Sequence, residues 1–495
     1  MEGREPIGWV IDNSAHDRFS FVVLEGKHVE FGKYYLIKHP TKGVEVLTRA
    51  IGVSYRNPEM DVERYGPRYG KKGIRLPAAD QEILVADAEP LGYFDGQKFR
   101  PLEVPPATWS PVYEAMPEDL YAFVAPAKDG YYLKIGNLRG LDIPVFLDLN
   151  GLVKGHSFVC GMTRSGKSTF VMALAKAARE ELDPPPHIVI FDRRGEYIPL
   201  VEKAGGKKYG YKEFTQSFSR MDPSHAASML GFGKGTLAEL VASAIGRMQA
   251  DGVAKASKEK LREYILSEIE AKGAASQKKR YTVTVEDRIK MYGDVLEKLP
   301  EEPLDPVDVV RGNEITLIDF SIDTEIDTQQ LVASDIIRSL LSEAMTNDDF
   351  GAIVAIEEVQ YFAPEESMVK YGENWRTSLA AITEAISQGG GYNLGFIIMT
   401  QRPAYVAKSV ISQCNSVISF RLMSQNDQWA IINYTEYGSK ALAQYLAGLA
   451  DHEAFICGIA VPTRFPVIVE TRVECYPRKA AKTARETFQA MKGIK

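Results

Sequence analysis

Residues 156–182, "HSFVCGMTRSGKSTFVMALAKAAREEL", decide the fold. A short apolar run (157–160) leads into G-x-x-x-x-G-K-S, and a helix-compatible run follows. A buried strand, a tight glycine loop and a helix N-terminus together aim backbone N–H groups at one point, where a phosphate is held. Gly161, Met162, Thr163, Arg164 and Ser165 form the loop, and Gly166, Lys167, Ser168 and Thr169 carry it into the helix. Lys167 would supply a point charge to the β- and γ-phosphate oxygens, and the Ser168 hydroxyl would ligate Mg²⁺. The stretch implies a bound nucleoside triphosphate, ATP with Mg²⁺. It leaves open what the energy drives and why an arginine stands inside the loop.

Hydrolysis needs an acid beyond this loop. "GAIVAIEEVQ" (351–360) supplies two, an apolar strand ending in Glu357 and Glu358. In this arrangement the first carboxylate orients the metal or its water shell and the second polarises the attacking water. Neighbouring side chains on a regular strand point to opposite faces, so both can serve one site only at the strand's frayed end. "LGFIIMTQRP" (394–403) ends in Thr400 and Gln401, whose amide could sense the γ-phosphate between the lysine and the carboxylates. Arg402 either belongs to that sensor or caps the strand. "VIFDRRGEY" (189–197) is a further buried strand, ending in Asp192 and followed by Arg193 and Arg194.

Around these motifs the chain changes rhythm. Residues 1–110 are short β-branched and aromatic runs split by Gly, Asn, Asp and Pro, as in a small antiparallel β-barrel. The Pro-rich stretch 100–119, "RPLEVPPATWSPVYEAMPED", reads as a linker. Residues 111–150 are assigned to this linker and the first strands of the next unit. From 151 to 475, nearly continuous apolar runs alternate with helical segments, the pattern of a parallel α/β sheet buried on both faces. Residues 222–303 are polar and helix-favouring and too long for a loop, so they are expected to form an inserted helical subdomain. The tail 476–495 holds six Lys or Arg and one Glu. It is either a solvated helix or an arm for a neighbouring subunit or a phosphate.

Composition sets limits on function. At 495 residues, with 45% hydrophobic and 25% charged residues, this is ordinary globular material for two or three domains. The formal charge of −7 excludes a uniformly basic nucleic-acid binder, so any such contact must be local. The four cysteines are scattered, without a C-x-x-C pair, which fits a reducing cytosol. There is no signal-peptide-like apolar core and no apolar run of the roughly 20 residues that span a bilayer. A cytoplasmic protein is expected.

The ensemble resembles the HerA helicase/translocase family, within the HerA–FtsK group of RecA-like motors. "KIGNLRGLDIPVFLDLNGLVKGHSFVCGMTRSGKS" is similar to that family's approach to the phosphate loop, and "FDRRGEY" to its F-D-x-x-G-E-Y segment. "AIEEVQ" resembles I-E-E-x-H, and "MTQRPAYVAKSVISQCNSVISFRL" resembles the S-Q-R-P stretch and the strand after it. The resemblance implies a HAS-type barrel and a RecA-like core. It also implies a homohexamer that threads double-stranded DNA, with a NurA-like nuclease or another effector as partner. Under it Lys167, Ser168, Glu357, Glu358 and Gln401 take the roles argued above. A related DNA-transfer or packaging ATPase, or a nucleotide-gated ring scaffold with little turnover, remains as an alternative.

Two departures stand out. Where the family carries arginines that reach a neighbour's nucleotide, this chain has Gly155, after Lys154, and Gly390 within "SQGGGYN". Arg164, Lys154 or the basic tail could replace them. For DNA contact the candidates are Arg193, Arg194, Lys408 and the "QKKR" cluster Lys278, Lys279 and Arg280. No aromatics are interleaved with them, which favours tracking a duplex backbone over stacking single-stranded bases.

Overall fold

The computed structural model describes residues 3–11, 14–57, 82–96, 98–126, 130–434, 445–463, 465–476 and 484–492. Seven strands come first: β1 (Gly8–Val10), β2 (Phe19–Val23), β3 (Tyr34–Lys38), β4 (Glu45–Arg56), β5 (Ile83–Asp95), β6 (Lys98–Arg100) and β7 (Pro111–Glu114). The order β2-β1-β7-β3-β4-β5, with β5 pairing back to β2, closes six of them into an antiparallel barrel, and β6 hangs from β5. Strict alternation drives this. In β2, Phe19, Phe21 and Val23 point inward and the residues between them do not.

The Pro-rich stretch expected as a linker gives the barrel one of its strands. β7 slots between β1 and β3, pairing Val112 with Gly8 and Tyr113 with Leu36. Val112 is fully buried. Proline at the first position of a strand costs little, and that is where Pro111 sits. The barrel thus runs on to Glu114. It leans on the following unit through Tyr34 and Phe99, whose rings meet Phe465, and through Arg49, which donates to the Pro466 carbonyl.

The second unit is one 11-stranded sheet. Its strands are β8 (Tyr132–Leu138), β9 (Pro144–Asp148), β10 (Ser157–Cys160), β11 (Ile188–Asp192), β12 (Lys207–Gly210), β13 (Ile315–Asp319), β14 (Ala352–Ile356), β15 (Leu394–Thr400), β16 (Ser416–Ser419), β17 (Glu453–Gly458) and β18 (Val467–Thr471). Their order is β12-β13-β11-β14-β15-β10-β16-β17-β18-β8-β9. From β12 to β16 every pairing is parallel, and from β16 onward every pairing is antiparallel. The strands read as apolar runs because both faces are covered: β11, β14 and β15 are buried at every residue.

Residues 222–303 supply four helices, Pro223–Met229, Thr236–Ala250, Lys258–Lys272 and Lys278–Glu297. They have their own apolar core around Ile245, Met248, Leu261, Ile265 and Val285. In the tail, Ala484–Lys492 is helical, while residues 477–483 and 493–495 lie outside the described residues. Among the described residues no helix is long and apolar enough to cross a membrane.

Candidate active site

Parallel strands end at the same edge. Cys160 at the end of β10 is level with Thr400 of β15, and Ile356 at the end of β14 is level with Ile398. Because β15 lies between β10 and β14, the loop after β10, the amide of Gln401 and the glutamates after β14 are set side by side. They line one cavity of ≈ 320 Å³, together with Arg164, Arg194 and His452.

The loop after β10 is held in a cradle shape by its backbone. Gly161 and Gly166 adopt φ of 150° and 121°, which glycine alone takes cheaply. A Cβ at Gly166 would lie 3.0 Å from His452 Nδ1. Arg164 has φ 66°, a left-handed conformation that costs a non-glycine residue ~1–2 kcal/mol. Ser165 Oγ donates to the Met162 carbonyl (2.8 Å), closing the turn from inside. Lys167 is only 8% exposed, and its ammonium donates to the carbonyls of Gly161 (2.7 Å) and Met162 (3.1 Å). Burial pulls its pKa down, opposed first by the charge of Glu358. Helix Lys167–Glu181 begins at this point, so its N-terminal dipole faces the cavity.

β14 stops at Ile356, one residue short of the glutamates, and Glu358 turns into the left-handed region at φ 50°, ψ 49°. That turn is how two adjacent carboxylates come to one cavity. Glu357 and Glu358 are 4% and 7% exposed. Glu358 is gripped by three donors: Gln360 Nε2 at 2.6 Å, Arg194 Nη1 at 3.2 Å and Gln401 Nε2. Gln401 is tied in turn to the phosphate loop, accepting from Thr163 Oγ1 at 2.5 Å. Thr400 Oγ1 donates to Gln360 (2.8 Å) and accepts from the Arg402 amide (3.0 Å).

Asp192 closes the set from β11. Its carboxylate accepts the backbone N–H groups of Arg194 (3.0 Å), Glu196 (3.1 Å) and Tyr197 (2.9 Å), shaping the next loop. Burial raises its pKa against those three bonds. Glu357 stands well above the ordinary carboxylate range, first because it is buried and then because Asp192, Glu196 and Glu358 crowd it with negative charge. Such a cluster fits a divalent cation, whose charge would offset the repulsion. Among the described residues no three His, Cys, Asp or Glu side chains could hold a metal by themselves. The donors available are Ser168 and Glu357, with phosphate oxygens and water completing the shell, as Mg²⁺ prefers.

The other expected residues scatter. Arg402 pairs with Asp427 (3.3 Å) and stacks on Tyr405, away from the cavity wall. Lys154 lies in the last turn of the helix Leu149–Gly155, which precedes β10, so the whole strand separates it from the loop of its own chain. Arg193 lies over the Tyr361 ring at 3.9 Å, bonds Gln329, and donates its amide to Glu357 (3.2 Å). Its neighbour Arg194 points into the cavity. Lys408 pairs with Glu365 (3.6 Å), and Lys278 with Glu270 (3.0 Å) at the start of an insertion helix. Arg164 lines the cavity mouth, and its side chain has no ion pair or hydrogen bond among the described residues. Sequence reasoning passed over Gln360, Glu196 and His452. Gln360 and Glu196 stood inside quoted motifs; His452 carried no signal, since it comes from a loop almost 300 residues beyond the phosphate loop.

A family model described as "Helicase HerA, central domain" matches residues 133–340, which include the phosphate loop and the Asp192 strand. The DNA double-strand break repair helicase HerA of Pyrococcus furiosus is 22% identical over 94% of this chain and 92% of its own. Its namesake from Sulfurisphaera tokodaii is 23% identical over the same shares. Over nearly its whole length the chain is thus similar to HerA-type helicases. Among solved structures, VirB4 of Thermoanaerobacter pseudethanolicus aligns at TM-score 0.49 and 12% identity, over 73% of this chain and 99% of that one.

Gly155 and Gly390, which the resemblance sets where arginines were expected, meet at the opposite edge of the sheet. A Cβ on Gly390 would run into the Lys154 carbonyl, and one on Gly155 into the Ile459 side chain, with Asn415 Cβ 3.1 Å away. At Gly390 the obstacle is backbone, which cannot swing aside, whereas at Gly155 it is mainly the half-exposed Ile459 side chain.

Proposed function

We propose that this chain is a HerA-type, ATP-driven translocase that works on double-stranded DNA as a homohexamer, with a NurA-like nuclease or a comparable effector as partner. The observation that carries the reading is the meeting of Lys167, Ser168, Glu357, Glu358 and Gln401 in one cavity at a single sheet edge. The names of the relatives, repair helicases over nearly their full length, point the same way.

In the proposed reaction the loop amides and Lys167 hold the triphosphate, and Gln401 contacts its γ-phosphate. Glu358 takes the proton of the attacking water, while Ser168 and Glu357 would hold Mg²⁺. The ion would supply charge neutralisation at the phosphates. Lys408 and the cations of the insertion are offered to the DNA backbone. A few cations per subunit suffice in a sixfold ring, so the net negative charge is no obstacle.

The test is ATP hydrolysis by the whole chain with and without duplex DNA, beside Lys167→Ala. Duplex-stimulated turnover that vanishes in the variant is expected. Equal turnover with and without DNA would remove the translocase reading. The closed packing at Gly390 favours a second reading, a nucleotide-gated ring scaffold. It predicts a nucleotide-dependent hexamer in sedimentation with negligible turnover.

A further inference from the structure

We propose that Arg194 is a catalytic residue of the ATPase reaction: it parks Glu358 in the empty cavity and transfers to the γ-phosphate when ATP enters. This rests on the ATPase reading above. It adds a transition-state cation supplied from the same chain.

Arg193 and Arg194 are adjacent yet do opposite things. Arg193 is spent inside the protein, stacked on Tyr361 and bonded to Gln329. Arg194 has a fixed backbone and a half-exposed head. Its amide is bound by Asp192, and Gly195 turns the chain just after it at φ 67°. Its side chain is 41% exposed and reaches into the cavity, with Nη1 3.2 Å from Glu358 Oε1 and Nε 3.9 Å from Glu196. One carboxylate oxygen of Glu358 therefore receives both Arg194 and Gln401. Gln401 is hydrogen-bonded to the phosphate loop itself, so this oxygen sits where the γ-phosphate end of the cavity must be.

Arg194 and Gln401 occupy one oxygen of Glu358 and Gln360 the other, so in the empty cavity neither oxygen is open to a water. A half-exposed arginine–carboxylate pair is weak and exchanges readily. The triphosphate offers the guanidinium more charge and a bidentate acceptor, which it prefers. Lys167 makes the same kind of exchange, leaving the Gly161 and Met162 carbonyls for phosphate oxygens.

With Arg194 and Gln401 both turned to the γ-phosphate, one oxygen of Glu358 is open to water. The water oxygen bonds to the γ-phosphorus as the bond from phosphorus to the β–γ bridging oxygen breaks. That bond's electron pair leaves with ADP, and the water proton passes to Glu358 and then to solvent. Arg194 faces the negative charge that spreads over the γ-phosphoryl oxygens during transfer, a role worth several orders of magnitude in rate where it has been removed from other enzymes.

The experiment compares full-length wild type, Arg194→Ala and Arg194→Lys in steady-state ATP hydrolysis, with Lys167→Ala as the dead reference. It also measures equilibrium binding of ADP, ADP with aluminium fluoride, and ATPγS. Arg194→Ala is expected to lose on the order of 100-fold or more in kcat, with KM and ADP affinity within about twofold. It should also lose the tightening that aluminium fluoride gives the wild type, and Arg194→Lys should recover part of both. An unchanged or raised kcat in Arg194→Ala overturns the proposal, since Arg194 would then only restrain Glu358. If wild type hydrolyses no faster than Lys167→Ala, the ATPase reading falls. Arg194 is then still decided by ATPγS, whose preference over ADP must weaken in Arg194→Ala; an undiminished preference overturns it.

Discussion

β10 is only four residues long, and the protein treats its two ends oppositely. At the C-terminal end lie buried charges in poised contacts: Lys167 on loop carbonyls, Glu358 among three donors, Glu357 crowded by acids. Two non-glycine residues there, Arg164 and Glu358, hold left-handed backbone. At the N-terminal end everything is satisfied. His156, itself at φ 53°, donates Nε2–H to the Ile386 carbonyl (2.7 Å) and accepts the Phe396 amide on Nδ1 (3.1 Å). Its burial lowers its pKa, so it stays neutral and keeps both bonds. Gly155 and Gly390 pack beside it, and Gly390 sits against backbone without space for a methyl group. One end stores interactions that a ligand can exchange, and the other spends its interactions on holding the sheet still. A site whose parts come from β10, β11, β14 and β15 needs such a rigid far end if its edge is to stay in register.

The sharpest way to break the contrast is at the poised end. Glu358→Gln should lower turnover by ~10²–10⁴-fold while leaving nucleotide affinity nearly unchanged, because a general base contributes about that much to rate. Rapid-quench and binding measurements decide it, and a full-rate Glu358→Gln enzyme would remove its water-activating role. At the satisfied end, His156→Ala leaves a buried carbonyl and a buried amide unpaired. It should cost about 3 kcal/mol of stability, read as a lower urea midpoint and faster hydrogen exchange at Phe396. Gly390→Ala should cost ~1–3 kcal/mol, since the group it meets is the Lys154 backbone, which cannot swing aside. If either variant unfolds like wild type but loses turnover, the far end is doing more than holding.

The smallest effect concerns a proton. Glu357 has a raised pKa in the empty cavity, so it holds its proton to higher pH than an ordinary glutamate does. Mg²⁺–nucleotide binding should expel part of one proton, seen as a buffer-dependent binding enthalpy that disappears in Glu357→Gln. The same shift fixes a sign for stability. The raised pKa contributes stability below the unfolded value near 4.3, and this is lost as pH rises through the folded pKa. Glu357→Gln should therefore flatten the decline of stability with rising pH in that window.

Much of the active edge was legible in the sequence. Buried parallel strands are bare apolar runs, and their polar endings name the residues that reach the edge: Asp192, Glu357 with Glu358, Thr400 with Gln401. Which of those residues touch one another was not legible. Nothing local separates Arg193 from Arg194; Tyr361 and Gln329 capture the first, and both are more than 130 residues away. The barrel's β7 was hidden for another reason. Its few residues sit among prolines, and only its partners β1 and β3 make a strand of it. His156 looked like part of the approach to the loop, because its two acceptor and donor groups lie some 230–240 residues downstream.

The place of β7 has a consequence for synthesis. β1 and β3 leave the ribosome early, but the gap between them is filled only when residues 111–114 follow. Until then both strands present open hydrogen-bonding edges, the surfaces through which nascent or truncated chains stick to one another. A fragment ending at residue 110 should aggregate where one ending after residue 126 stays soluble. The short proline-flanked segment that joins the two units is thus also the stave that closes the first of them.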